Sequence, residues 1–148
     1  MILSKIDFSN VIKNTPLISI DLIIENEKGQ FLLGKRLNNP AINKWFVPGG
    51  RIFKDEPLDD AFRRTTKSEI GMNLERKDVT FYGLYEHFYE NNVFDDTFST
   101  HYIVLGHKFK INEDSVVLNS QHEVYAWFDK ELLLKNDEVH PYTKDYFS

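Results

Sequence analysis

A glycine-rich turn that runs directly into a predicted helix is the chemically most informative part of the chain. Gly50 ends the turn sequence WFVPGG. Residues 57–70 are predicted to be helical, because Pro57 suits a first helical position and Gly71 suits the position just past the end. Glu69 lies in the last turn of this helix. A sharp turn beside a helix that presents a carboxylate suits a hard cation such as Mg²⁺, which prefers oxygen ligands.

Residues 50–72, GRIFKDEPLDDAFRRTTKSEIGM, resemble the Nudix box, in which glycines, glutamates and an arginine recur at fixed spacing over a strand, a loop and a helix. Six positions are in register: Gly50, Glu56, Arg64, Glu69, Gly71 and Met72. Three depart: Thr65 and Ser68 stand where the family usually has glutamates, and Thr66 replaces an aliphatic residue.

The departures leave Glu69 as the one carboxylate of the array on this helix, so we expect the protein to hold a single Mg²⁺. They also remove the usual glutamate candidates for activating water. Two accounts remain: an inactive relative, or an enzyme that takes its base from elsewhere. Glu56 and Arg64 are interpreted as a structural salt bridge that joins the loop to the helix.

A wider resemblance, to the GDP-mannose mannosyl hydrolases within the Nudix family, extends from about residue 2 to residue 128. It is carried by TPLISIDLIIEN, FLLGKR, WFVPGGR, FYGLYEHFYE, FSTHYIVLG and SQHEVYAW. The resemblance implies a Nudix α/β/α sandwich and a homodimer. It also implies one Mg²⁺ per subunit, for which Mn²⁺ can substitute, and hydrolysis of GDP-mannose to GDP and mannose. In that family water attacks C1 of the sugar with inversion.

Carried over residue by residue, the resemblance implies three metal ligands, which are the Gly49 carbonyl, Glu69 and Gln121. It implies His122 as the general base. This assignment is chemically sensible, because an amide oxygen can bind Mg²⁺ and a histidine with a pKa near ~6.5 can accept a proton from water near neutral pH.

The same resemblance implies seven further site residues. Arg36, with Arg51 and Tyr102 as helpers, would stabilise the departing diphosphate, where negative charge grows as the glycosidic bond breaks. Asp21 and His87 would hold sugar hydroxyls. Leu3 and Phe8 match an N-terminal arm that contacts the base of the nucleotide.

The elements that must position these residues are predominantly strands. Hydrophobic periodicity and turn residues predict strands at 17–25, 30–36, 79–90, 98–111 and 124–128, with a short strand before Gly50. Besides the central helix, short helices are predicted at 4–14, 131–135 and 141–147. The mixed order indicates an α+β class with a mixed sheet in an α/β/α sandwich, which we expect to form one domain over residues 1–148.

Composition narrows the class of partner. The net charge of −5 disfavours nucleic acid, because phosphate backbones select basic surfaces. There is no cysteine, which removes thiolate chemistry and fits a reducing cytoplasm. No stretch is long and apolar enough to span a bilayer, so we expect a cytoplasmic protein with no membrane partner.

Two groups of ring-bearing residues are expected to have structural roles. The aromatic cluster Tyr82, Tyr85, Phe88 and Tyr89 is predicted to lie in the core. His101, His107 and His140 are predicted to be surface or packing residues.

Three functions compete at this point. The first is cleavage of GDP-mannose at the sugar carbon. The second is a Nudix pyrophosphohydrolase that attacks phosphorus of a nucleotide sugar or dinucleotide. The third is a non-catalytic Nudix module that binds a nucleotide sugar, against which the pairing of Glu69 with Gln121 and His122 argues.

Overall fold

The computed structural model describes residues 2–118 and 124–148, and its elements agree closely with the predicted ones. The helices are α1 Lys5–Asn14, α2 Leu58–Ile70, α3 Lys130–Lys135 and α4 Pro141–Asp145. The strands are β1 Leu17–Glu25, β2 Gln30–Lys35, β3 Trp45–Phe46, β4 Gly49–Arg51, β5 Thr80–Tyr89, β6 Thr100–Lys110 and β7 Val124–Asp129.

Helix α1 begins at a side-chain cap. The Ser4 hydroxyl accepts a hydrogen bond from the backbone N–H of Asp7 at 3.1 Å, which satisfies one of the donors that a helix start leaves free. Pro16 follows the helix end and directs the chain into β1.

The two central strands of the sheet, β1 and β2, separate beyond their hairpin. Strands β1 and β2 form an antiparallel hairpin in which Glu25 pairs with Phe31. Farther along, β4 pairs antiparallel with β1 and β3 pairs antiparallel with β2, so the turn sequence lies in the opening. Strand β6 continues the sheet on the other edge of β1 in parallel, and β5 pairs antiparallel with β6. The sheet is therefore mixed, as predicted.

Helix α2 covers one face of the sheet. Ile20, Leu22 and Ile24, which the period of two places on one face of β1, are fully buried against Phe62 and Ile70 of the helix. The helix begins at Leu58, with Pro57 as the cap residue before it, and ends where Gly71 adopts a φ of 72°. Glycine adopts this left-handed conformation at little cost, so it ends the helix next to the site.

The C-terminal segment covers the opposite face. Ile23, Leu33 and Val47 from the sheet pack against Leu133 of α3 and Phe147, which follows α4. Helices on both faces of the sheet give the α/β/α sandwich that the sequence predicts. Among residues 2–118 and 124–148, no helix has the length and apolar character needed to cross a bilayer.

Candidate active site

A polar cavity lies where β1 and β2 separate, and six of the predicted site residues line it together: Asp21, Arg36, Gly49, Arg51, His87 and Tyr102. Sheet register explains this convergence. Asp21 pairs with Gly49 across β1 and β4, and His87 pairs with Tyr102 across β5 and β6. Residues that are far apart in the sequence thus meet because neighbouring strands bring them to one place.

Two arginines give the cavity a cationic side. The Nε of Arg36 is buried and has no hydrogen-bond partner within the described parts of the chain, and its guanidinium carbon lies 5.7 Å from the Phe46 ring centroid. The guanidinium of Arg51 lies 4.8 Å from the ring of Phe8 and 5.1 Å from the ring of Phe53. A buried donor on a permanently charged group is costly unless a ligand satisfies it, so this side suits an anion.

The predicted Glu56–Arg64 salt bridge is present and supports the backbone of Arg51. Arg64 donates from Nε and Nη2 to the two carboxylate oxygens of Glu56 at 2.7 and 2.9 Å, and Nη2 also donates to the Arg51 carbonyl at 2.8 Å. These hydrogen bonds lower the pKa of Glu56, with Arg64 as the largest cause. The ion pair therefore fixes the strand that carries one of the two cavity arginines.

Asp21 lines the same cavity as the two arginines, and Tyr146 holds its carboxyl group. The Tyr146 hydroxyl donates to Asp21 Oδ2 at 2.5 Å. Burial raises the pKa of Asp21 to about 7, with the charge of Glu69 contributing in the same direction and Tyr146 and Arg36 opposing it. A carboxyl group with this pKa is well suited to hydrogen bonding with hydroxyl groups, because its protonated form donates and its ionised form accepts.

His87 is a further polar residue of the cavity, and it is neutral at physiological pH. It is 5% exposed and stacks on Tyr142 with 4.3 Å between ring centroids. Burial lowers the pKa of His87 to about 4, with His140 as a further cause. A neutral imidazole carries one donor and one acceptor, which again suits a hydroxyl-bearing ligand.

Tyr102 also lines the cavity. Burial raises its pKa, against the influence of Arg36 and Arg51, so its hydroxyl remains a hydrogen-bond donor at neutral pH. Ser19, Phe46, Val47, Gly50 and Tyr89 also line the cavity. All five lie within the sequence segments that carry the wider resemblance, but no role in lining the site was predicted for them.

Glu69 is half-buried at the end of α2, and its Oε2 accepts a hydrogen bond from the Tyr125 hydroxyl at 2.7 Å. Its charge acts on Asp21, so the helix carboxylate lies close to the cavity. Gly49 has no room for a side chain, because a Cβ there would come within 2.6 Å of Asp21 Oδ1. The Glu69 carboxylate and the Gly49 carbonyl are both oxygen donors of the kind that Mg²⁺ prefers.

Within the described residues, no three or more His, Cys, Asp or Glu side chains are grouped so that they could share a metal. The predicted metal-ligand set does not require such a cluster, because it contains one carboxylate and otherwise neutral oxygen donors. The predicted ligand Gln121 and the predicted base His122 lie outside the described residues. The chain on either side of them is anchored at the end of α2, where the Val117 N–H donates to the Ile70 carbonyl at 2.9 Å and Tyr125 contacts Glu69.

Leu3 and Phe8 do not line the cavity. Leu3 is half-buried before α1, and Phe8 lies on α1 with its ring 6.0 Å from Phe94. Phe8 is nevertheless adjacent to the cavity through the guanidinium of Arg51. The N-terminal segment thus borders the cationic side.

The prediction that the aromatic residues of β5 lie in the core is confirmed for Tyr85 and wrong for the other three. Tyr85 packs against the core cluster that contains Tyr146. Tyr82 and Phe88 are 39% and 57% exposed, and Tyr89 lines the cavity. The reason is that β5 is an edge strand that pairs with β6 alone among the described strands, and one of its faces has no covering helix. The three histidines do serve packing: His107 packs on Phe62, His101 stacks on Phe88, and His140 stacks on Phe46.

Comparison with known proteins agrees with this architecture. A family model described as NUDIX domain matches residues 15–147, so the chain belongs to the Nudix family of hydrolases. The MutT protein from Methanosarcina mazei Go1 has a similar structure, with a TM-score of 0.70 and 27% identity over 90% of this chain and 92% of that one. Nudix hydrolases generally use divalent metal ions, which agrees with the oxygen donors beside the cavity.

Two sequence relatives differ in how much of the chain they match. The low-salt glycan biosynthesis protein Agl8 of Haloferax volcanii is 35% identical over 143 residues, which cover 95% of this chain and 85% of that protein. An RNA pyrophosphohydrolase of Pseudomonas fluorescens SBW25 is 39% identical over 61 residues, which cover 41% of this chain and 35% of that protein.

Proposed function

We propose that the protein is a Mg²⁺-dependent hydrolase that converts GDP-mannose to GDP and mannose. The observation that carries the proposal is the composition of one cavity: Arg36 and Arg51 suit a diphosphate, and Asp21 and His87 suit sugar hydroxyls. A nucleoside diphosphate sugar is the class of ligand that presents these two chemistries next to each other.

Water attacks C1 of the sugar in the proposed reaction. The new C1–O bond forms as the bond from C1 to the diphosphate oxygen breaks, and the bonding electrons leave with GDP. The guanidinium groups of Arg36 and Arg51 stabilise the negative charge that grows on the diphosphate, and the Tyr102 hydroxyl donates a hydrogen bond to it. Attack from the side opposite the leaving group inverts the anomeric centre.

We assign the Gly49 carbonyl, Glu69 and Gln121 as the residues that hold one Mg²⁺, or Mn²⁺ in its place. When bound, the ion adds positive charge beside the diphosphate and so favours its departure. The half-buried carboxylate of Glu69 and the close approach of Gly49 to Asp21 support this donor set.

His122 is the proposed general base, which accepts the proton of the attacking water. Positions 65 and 68 carry Thr and Ser, so α2 has no glutamate at the places where the family usually has one. The anchoring of Val117 and Tyr125 at the end of α2 supports a base from this segment, because its flanking residues lie beside Glu69.

The N-terminal arm is proposed to contact the guanine. Phe8 lies against Arg51, so the cationic side of the cavity and the arm are neighbours. Leu3 precedes α1 on the same segment.

The similarity to Agl8, whose name refers to glycan biosynthesis, supports a sugar-containing substrate rather than a dinucleotide.

Attack at phosphorus is the alternative, and the similarity to RNA pyrophosphohydrolases over 61 residues favours it. Hydrolysis of GDP-mannose in ¹⁸O-labelled water separates the two. We expect the label in mannose, GDP as the nucleotide product and β-mannose as the first anomer observed by NMR. Label in a phosphate, with GMP and mannose 1-phosphate as products, would contradict attack at carbon. Binding without turnover of any nucleotide sugar would favour the non-catalytic module.

The variant His122→Gln tests the base. We expect kcat to fall by roughly 10²–10⁴, the usual contribution of a general base. The acidic limb of the pH–rate profile should disappear with it, because protonation of His122 inactivates the wild-type base below its pKa. His101→Gln is the matched control, since His101 stacks on Phe88 outside the cavity. Equal activity of the two variants would refute the assignment.

The protein is also proposed to form a homodimer, and an apolar sheet face supports this. Leu84 and Phe88 of β5 and Ile18 of β1 are 62%, 57% and 48% exposed, and β6 places Ile103 and Leu105 between them. Exposed apolar surface of this kind marks an interaction site. Leu84→Asp should yield a monomer by light scattering, whereas Leu132→Asp, equally exposed on α3, should not. A monomeric wild-type protein would contradict the proposal.

A further inference from the structure

The C-terminal segment places side chains directly behind three residues of the cavity wall. His140 stacks on Phe46 with 4.7 Å between ring centroids, and Tyr142 stacks on His87 at 4.3 Å with the planes only 8° apart. Tyr146 reaches Asp21 through its hydroxyl at 2.5 Å. None of these three supporting residues lines the cavity itself.

Tyr146 is fixed independently of Asp21. It is 2% exposed, its ring meets Tyr85 edge-to-face at 4.7 Å, and its carbonyl accepts a hydrogen bond from the Tyr82 hydroxyl at 2.9 Å. Its phenol therefore has a defined position before any ligand arrives. Because this phenol occupies Asp21 Oδ2, it determines which carboxyl oxygen remains available to the cavity.

Tyr142 supports His87 in a comparable way. Its hydroxyl accepts from the Phe88 N–H at 3.0 Å and donates to the Phe88 carbonyl at 2.9 Å. This double contact ties α4 to strand β5 at the residue next to His87. The imidazole then lies flat on the phenol ring, which restricts its rotation about the side chain.

We propose that Tyr146 and Tyr142 are positioning residues that set the selectivity of this hydrolase for the sugar. They act through Asp21 and His87, and they contact neither the sugar nor the diphosphate. The inference rests on the proposed function, since it takes Asp21 and His87 as the groups that hold the sugar hydroxyls. It adds that the C-terminal segment, outside the Nudix box, orients these groups.

The variant Tyr146→Phe removes one hydroxyl and keeps the buried ring. In the His122→Gln background, where hydrolysis during the titration is slow, we expect calorimetric affinity for GDP-mannose with Mg²⁺ to fall about tenfold, as for the loss of one hydrogen bond, while affinity for GDP stays unchanged. Tyr85→Phe is the matched control, because Tyr85 packs on the Tyr146 ring and does not line the cavity. Thermal unfolding of both variants checks that the fold is kept.

A double-mutant cycle with Asp21→Ala, which removes the acceptor of the Tyr146 hydroxyl, shows whether Tyr146 acts through Asp21. Tyr146→Phe should then have little further effect on GDP-mannose affinity in the Asp21→Ala background. An unchanged ratio of GDP-mannose to GDP affinity in Tyr146→Phe would overturn the inference, and so would additive losses in the cycle.

A failure of the proposed function would be detected by measurements on the wild-type protein, not on the variants. If the wild type does not prefer GDP-mannose, the same affinity ratio is measured for the nucleotide sugar that it binds most tightly, against the matching nucleoside diphosphate. A ratio that falls only in Tyr146→Phe supports the positioning role with that sugar. A ratio equal in Tyr146→Phe, Tyr85→Phe and wild type overturns it.

Discussion

Replacement of Gly49 by alanine should damage both the fold and the site, whereas the same change at Gly50 should be tolerated. A Cβ on Gly49 would lie 2.6 Å from Asp21 Oδ1 and would also press on the backbone carbonyl of Ile20. The backbone cannot move aside without separating β4 from β1. A Cβ on Gly50 would instead lie 3.4 Å from Thr65 Oγ1, an ordinary van der Waals contact.

The distances from the two added Cβ atoms to their nearest neighbours determine the expected changes in stability. Forcing atoms into a packed region costs about 1–3 kcal/mol, so the Tm of Gly49→Ala should fall by about 3–10 °C for a chain of this size. Gly50→Ala should change stability by no more than about 1 kcal/mol in either direction. Because Gly49 also supplies a proposed metal ligand, its alanine variant should need more Mg²⁺ for half-maximal activity.

Thermal unfolding and Mg²⁺ titration of GDP-mannose hydrolysis measure these effects in parallel. Equal Tm values and equal Mg²⁺ requirements for the two alanine variants would refute the steric argument. A lower Tm for Gly49→Ala with an unchanged Mg²⁺ requirement would keep the steric argument and remove Gly49 from the metal site.

Three further predictions concern charged groups. Glu56→Gln should lower the free energy of unfolding at pH 7 by about 1–2 kcal/mol, a value reduced for the partial exposure of Arg64. Arg64 holds the pKa of Glu56 below its usual value. The contribution of Glu56 to the free energy of unfolding is therefore present above its unfolded-state pKa and is lost as the pH falls through its folded-state pKa. Urea titrations should show the difference in stability between wild type and Glu56→Gln disappearing below about pH 4. Glu69→Gln should abolish most Mg²⁺-dependent turnover. A kcat near the wild-type value at an ordinary Mg²⁺ concentration would show that Glu69 is not a metal ligand. Arg36→Ala should reduce kcat more than it raises KM, and an effect confined to KM would indicate ground-state binding only.

Much of the fold was predictable because local signals and sheet pairing agree. The alternation of Ile20, Leu22 and Ile24 predicts a strand with one face against a helix, and these residues are buried against α2. Gly71 just past α2 has the left-handed conformation that its type indicates. The Glu56–Arg64 pair was also predictable, because a fixed spacing within one loop and one helix determines whether two side chains meet.

The supporting residues of the site were not predictable from the sequence. Tyr146 is separated from Asp21 by 125 positions, and no local pattern indicates a contact between a terminal helix and a strand near the start. The burial of the β5 aromatic residues could not be predicted for a related reason. Strand type follows from periodicity, but whether a face is covered depends on which helices lie above it, and that is a property of the whole sheet.

The burial of Thr65 bears on our proposal that the site depends on one helix carboxylate. Thr65 is 2% exposed, and its Oγ1 lies buried opposite Gly50 without a hydrogen-bond partner in the part of the chain that the structure describes. A glutamate there would bring an anion into this buried space, where it would require a cation. With threonine no such requirement exists, and the helix carboxylate that we propose for the metal is Glu69, one helical turn farther along. The base for water must then come from outside the helix, which is the role we propose for His122.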